Sequence, residues 1–179
     1  VRGGIIRTGD GGVTWASAWK LQDVWVYDIK INATNTQIIL AGTNKGLFRS
    51  TNGGVQWQKI LNGAVCDVKM NPANNNECYA LQNNQFTLRY EFWKSTDAGA
   101  TFSLKPNGWL NNIGSNGGGR MAVTPADAKR IYVVLLSDTA STPFILRSDD
   151  SGETWITAVV GRTLQLTMDN GQISKEDIN

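Results

Sequence analysis

The chain has 179 residues, with 17 Lys and Arg against 15 Asp and Glu, no His, 19 Gly and 7 Trp. Its formal net charge of +2 is not gathered into any basic run, which argues against nucleic acid or an anionic membrane as partner, and no stretch approaches the roughly 20 apolar residues that span a bilayer. Charged residues make up only 18% of the chain, so turn formers and aromatics dominate and favour short strands over long helices within one domain.

The chain opens at Val1 with neither Met nor a leader, as expected of a processed product or a piece of something longer. Ile5–Arg7 forms an apolar-basic strand that runs into TGDGGVTW at 8–15. An alternating strand DIKIN follows at 28–32, then QIILA at 37–41, LFR at 47–49 and STNGGVQW at 50–57. The same order returns as DVKMN at 67–71, ECYAL at 77–81, FWK at 92–94 and STDAGATF at 95–102. It returns again as RMAVT at 120–124, RIYVVL at 130–135, ILR at 145–147 and SDDSGETW at 148–155. The segment LQLTMDN at 164–170 reads as one more opening strand with its turn. Strict alternation bounded by turn residues is a strand signal. The four closing aromatics, Trp15, Trp57, Phe102 and Trp155, lie 42, 45 and 53 residues apart, periods that belong to four-stranded propeller blades.

Each unit is therefore strand A, strand B, strand C, a polar corner and strand D. In the corner, Asp10, Asn52, Asp97 and Asp150 are placed to accept backbone N–H bonds, while Gly12, Gly54, Gly99 and Gly152 supply a positive φ. Thr8, Ser50, Ser95 and Ser148 offer a hydroxyl for local bonding, and the closing aromatic is expected to bury its ring between neighbouring blades. Asn52 keeps the acceptor without the charge, which suits a structural role rather than metal ligation.

This corner resembles the Asp-box, or BNR, repeat. Families built on it include sialidases, xyloglucan-degrading glycoside hydrolases, sortilin-type receptors and photosystem assembly factors. The resemblance implies an all-β propeller with four-stranded antiparallel blades, in portions of about 1–20, 24–60, 64–105, 118–158 and 163–179. Half a blade, three whole blades and the start of another read as an incomplete arc of a larger ring. The alternative is a four-bladed ring in which residues 164–175 complete the first blade.

The absence of His removes Ser-His-Asp and Cys-His catalysis and His-based metal sites. Cys66 and Cys78 are the only cysteines, with no CxxC spacing. They fall on neighbouring strands, so either a disulfide or two buried thiols fits. Asp28 and Asp67 hold the same place in successive A strands, and Arg120 and Gln165 hold it in the next two. Because strand A lines a propeller channel, these four are candidate channel or ligand residues, with Arg120 a natural partner for the acids. Gly117–Arg120 is either an anion cradle or, more plainly, the loop entering strand A. The arginine triad and Tyr–Glu pair of sialidases have no counterpart here, and the motifs around the two aspartates of xyloglucan-degrading relatives are not evident, so no catalytic residue carries over.

Trp19, Trp25 and Trp109 lie in connections between blades and are candidate rim aromatics for stacking on sugar or anchoring a partner. Residues 138–143 make a polar insertion between strands B and C, and Asn32-Ala33-Thr34 is a glycosylation sequon. The expected function is a non-catalytic secreted, periplasmic or cell-surface propeller module that binds glycan or protein, without cofactor or metal. A further partner is the remainder of its own ring or a second chain. One alternative is the substrate cleft of a xyloglucanase-like glycoside hydrolase; another is a sortilin-like protein-binding or assembly module.

Overall fold

Alternating apolar and polar side chains, cut every few residues by Gly, Asn and Asp, leave each segment long enough only for a short strand, and each strand pairs with the next along the chain. The computed structural model describes residues 4–19, 23–110, 118–136, 143–159, 166–169 and 172–175. It contains sixteen described strands. The first whole blade comprises β3 (Val26–Ile31), β4 (Ile39–Thr43), β5 (Gly46–Ser50) and β6 (Gln58–Leu61). The second comprises β7 (Ala64–Met70), β8 (Cys78–Asn84), β9 (Arg89–Ser95) and β10 (Ser103–Leu104). The third comprises β11 (Gly119–Thr124), β12 (Asp127–Leu135), β13 (Phe144–Ser148) and β14 (Ile156–Val159). Each is an antiparallel meander in chain order. Two-stranded sheets flank them: β1 (Ile5–Arg7) with β2 (Ala16–Trp19), and β15 (Leu166–Asp169) with β16 (Gln172–Lys175). The half blade, three whole blades and opening of another match the expectation from the repeat.

The blades pack side by side through their A strands, β3 against β7 and β7 against β11. Between the first and second whole blades lies a core of Leu40, Leu47, Val65, Val68, Cys78 and Ala80. A larger core centred on Tyr79, Phe92, Trp109, Met121, Ile131, Leu146 and Trp155 fills the space between the second and third. Its aromatic centre is tightly nested: the Phe92 and Trp155 rings cross edge to face at 4.7 Å, and Trp109 and Trp155 do so at 5.0 Å. Such pairs contribute about 0.5–1.5 kcal/mol each beyond the area they bury.

All four corners close with one hydrogen-bond pattern. Gly12, Gly54, Gly99 and Gly152 donate their N–H to Thr8, Ser50, Ser95 and Ser148 hydroxyls at 2.8, 2.8, 2.9 and 2.8 Å. Asp10, Asp97 and Asp150 accept both the N–H and the hydroxyl of Thr14, Thr101 and Thr154. Asn52 accepts the N–H of Gln56 and, lacking a second acceptor, donates its amide to Gln56 Oε1 at 3.4 Å. The closing rings differ in burial. Trp155 is 3% exposed but Trp15 is 58% exposed, against the expectation of burial, because no blade covers it on the preceding side among the described residues.

Candidate functional site

Three chemical features of the chain converge on the inner A strands. A register shift at Tyr27 in β3 and another at Cys66 in β7 precede the two aspartates, so a bulge introduces Asp28 and Asp67 alike. Asp28 Oδ2 accepts the backbone N–H of Val68, in the next blade, at 3.1 Å. One blade on, Asp67 Oδ2 accepts the N–H of Met121. The other oxygen of each acid takes the lysine two residues along its own strand: Lys30 meets Asp28 at 2.7 Å, and Lys69 meets Asp67. Lys69 also reaches back to Asp28 Oδ2 at 3.4 Å, so it bridges the two carboxylates. A spacing of two residues puts acid and lysine on one strand face.

Asp28 and Asp67 are not equivalent. Burial resists ionisation of Asp28, yet its hydrogen bonds with Asp67, Lys30 and the Val68 N–H hold its carboxyl at about 2. Burial and the hydrogen bond with Asp28 push Asp67 upward. Two carboxylates this close titrate as a pair that retains a proton to higher pH than a lone aspartate.

Arg120 occupies the expected position in β11 but does not partner the acids. It donates to the carbonyl of Cys66 at 3.2 Å and to that of Gly119 at 2.8 Å, pointing back toward the preceding blade. Lys30 and Lys69, unremarked in the sequence, take the role expected of it; the repeated Asp-x-Lys was the available signal. Gln165 lies outside the described residues. Gly118, in the glycine run, donates its N–H to the Tyr90 hydroxyl at 2.7 Å, and its carbonyl accepts Leu136 N–H, so this part of the run is a loop entering β11. A shallow depression of about 300 Å³ lies beside Arg120, lined by Gly118, Gly119, Val134 and Leu136.

A second repeated contact sits four residues beyond each aspartate. Asn32 is 2% exposed, and its side-chain oxygen accepts from Thr34 and Asn35 N–H. Its amide nitrogen donates to the Asn75 carbonyl of the next blade. Asn71 repeats this with Ala73, Asn74 and the Ala128 carbonyl. The sequon nitrogen is thus buried and engaged in the folded chain.

Antiparallel meanders place the D–A and B–C connections of every blade at one end and the corners at the other. At the connection end Trp25 is 65% exposed. Asn44 pins it there: the Asn44 side chain accepts Trp25 N–H at 2.8 Å, and Asn44 N–H donates to the Trp25 carbonyl at 3.0 Å. Phe86, which the sequence reading passed over, is 99% exposed on the β8–β9 loop, where Asn84 accepts the N–H groups of Phe86 and Thr87. Trp109, expected at the rim, is instead core: it is 7% exposed, and its indole N–H donates to the Tyr90 carbonyl. The ring of Trp19 lies outside the described residues, as does most of the 138–143 insertion. Cys66 and Cys78 are free thiols, both pushed up to about 12 chiefly by burial. Cys78 pairs with Met70 at one end of the β7–β8 ladder and Cys66 sits at the bulge near the other, too far along the strands for a bridge. No helix among the described residues is long and apolar enough to cross a membrane.

Comparison with solved structures places the chain among β-propellers. It resembles the GH74 enzyme of Niastella koreensis with a TM-score of 0.70 at 18% identity, over 87% of this chain and 26% of that one. An ancestral GH74 enzyme matches at 0.57 and 21% identity, over 74% of this chain and 18% of that one. YCF48 bound to a D1 peptide matches at 0.51 and 16% identity, over 74% of this chain and 38% of that one. The chain spans 18 to 38% of the lengths of these proteins, and identities this low show the fold alone. No family model and no curated protein matches the sequence.

Proposed function

We propose that this chain is a non-catalytic β-propeller module that binds a neutral glycan or a protein segment at the end carrying its D–A and B–C connections. The observation that supports this most is Trp25, a large aromatic exposed to solvent on a backbone that two hydrogen bonds to Asn44 fix in place. With its backbone already fixed, Trp25 orders only its own side chain on stacking against a sugar face or an apolar side chain. Phe86 stands at the same end of the neighbouring blade. Lack of catalysis is argued from Asp28 and Asp67, whose oxygens are engaged by backbone N–H groups and lysines that hold the blades together. A low charged fraction of 18% and the many amide side chains suit a secreted, periplasmic or cell-surface setting.

One observation favours a second reading. Asp28 and Asp67 are driven apart in acidity, as acid and base pairs are in glycosidases, and GH74 enzymes are among the structural neighbours. In that reading the blades form part of a polysaccharide-hydrolase cleft.

Calorimetric titration with xylogluco- and cello-oligosaccharides, beside a random peptide library, tests the choice. We expect Trp25→Ala to weaken the bound class by roughly tenfold or more, with an unchanged unfolding midpoint. Release of reducing ends from xyloglucan by the wild type, abolished by Asp67→Asn in a chain that remains folded, would establish the hydrolase reading instead.

A further inference from the structure

Successive corners meet through one repeated contact. The basic residue near the end of strand C reaches the next corner: Arg7 the Gly53 carbonyl, Arg49 the Ala98 carbonyl and Lys94 the Glu153 carboxylate. In those three corners the residue after the second glycine position is Val55, Ala100 and Glu153. Between the second and third whole blades the contact is ionic. Glu153 takes Lys94 at 2.9 Å and Lys105 at 2.7 Å, and Lys94 is 6% exposed. Between the first and second whole blades, Ala100 stands at the place of Glu153, and no acid meets Arg49 among the described residues. A hollow of about 500 Å³ opens beside Arg49 instead, lined by Arg49, Thr51, Gln56, Trp57 and Gln58. That volume lies within the roughly 300–1,000 Å³ of small-ligand sites.

The residues lining the hollow also depart from the repeat. Where the other corners place Thr14, Thr101 and Thr154, each hydroxyl is spent on the corner aspartate. Here Gln56 holds that place, and its Oε1 receives only a 3.4 Å contact from Asn52 among the described residues. Gln58 stands where the other units have Ala16, Ser103 and Ile156, and it is the cross-strand partner of Arg49. Register therefore sets a guanidinium and an amide side by side. A repeat that breaks its own pattern around one hollow, without a packing gain, marks a place kept for a ligand.

We propose that this hollow binds a carboxylated sugar, a hexuronate unit of an acidic polysaccharide. Its carboxylate accepts from the Arg49 guanidinium, as Glu153 accepts from Lys94 one blade on. Gln56, Gln58 and Thr51 exchange hydrogen bonds with the ring hydroxyls, and Trp57 offers its half-buried indole to the apolar sugar face. An acidic protein side chain would use the cation but leave the two amides, the hydroxyl and the indole unengaged. The site lies at the corner end, opposite the connections that carry Trp25, so it does not rest on the binding surface proposed above.

The test titrates the chain with trigalacturonate, its methyl ester, acetate and a glutamate-rich peptide, read by calorimetry and by the Trp57 indole N–H resonance. We expect trigalacturonate to bind at least about tenfold more tightly than the other three, to shift the Trp57 resonance, and to weaken as salt rises. Ala100→Glu, at an exposed position, brings the carboxylate of Glu153 into the hollow and should abolish binding without lowering the thermal midpoint. Gln58→Ala should weaken binding by roughly five- to tenfold, and Trp25→Ala should leave it unchanged. Undiminished binding by Ala100→Glu, loss of binding in Trp25→Ala, equal affinity for the ester, acetate or the peptide, or no binding of trigalacturonate at millimolar concentration would each overturn the proposal.

Discussion

Replacing Asp67 isolates the clasp between blades from any chemistry the carboxylate might perform. In Asp67→Ala the Met121 N–H, on a residue 5% exposed, loses its acceptor. An unsatisfied buried donor costs about 1–3 kcal/mol. Lys69 loses one of two carboxylates but keeps Asp28 and is partly solvated, adding less than about 1 kcal/mol. The expected loss is therefore about 1–4 kcal/mol, or roughly 2–16 °C in the thermal midpoint of a chain this size. Asp67→Asn keeps an acceptor for Met121 and should cost about 1 kcal/mol. Urea unfolding at neutral pH, with exchange of the Met121 amide followed in parallel, reads both terms. Equal losses in the two variants, or a Met121 amide as protected in Asp67→Ala as in wild type, would refute the clasp.

Gly152→Ala would set a Cβ 2.4 Å from the Phe92 ring at a φ of +84°, so strain and overpacking should together cost about 2–5 kcal/mol in denaturant unfolding. Trp155→Ala empties the aromatic centre between the second and third blades and should cost about 3–5 kcal/mol by the same measurement. In acid, the corner carboxyls set the trend. Asp10 is held at about 2 by Thr14 and Thr8; Asp97 and Asp150 are held there by Thr101 and Thr154 against a burial effect of opposite sign. Their folded pKa values lie below the unfolded value, so the unfolded chain takes up protons first, and stability should fall between about pH 4 and pH 2. Asp67 contributes with the opposite sign, because its proton binds more tightly in the folded chain, and Asp67→Asn should steepen the acid decline.

Much of the architecture was legible because it repeats. A corner with fixed hydroxyl, acceptor, glycine and ring positions can be matched by eye, and its bonds are local, made within five residues. Long-range identity of partners was not legible in the same way. Arg120 was expected to neutralise Asp28 and Asp67, yet a lysine two residues along the same strand is a nearer neighbour than a residue one blade away. Trp109 lies in a connection, which suggests exposure, but that connection folds down against Trp155 and buries it.

The sequence by itself determined the unit: strand order, corner chemistry and period follow from side-chain alternation and turn residues acting over a few positions. Tertiary structure alone decided how units join. Which backbone N–H faces Asp28 or Asp67, which carbonyl meets Asn32 or Asn71, and whether a ring is rim or core depend on blades brought together from some forty or more residues away. Those contacts are set by packing geometry, which no local pattern encodes.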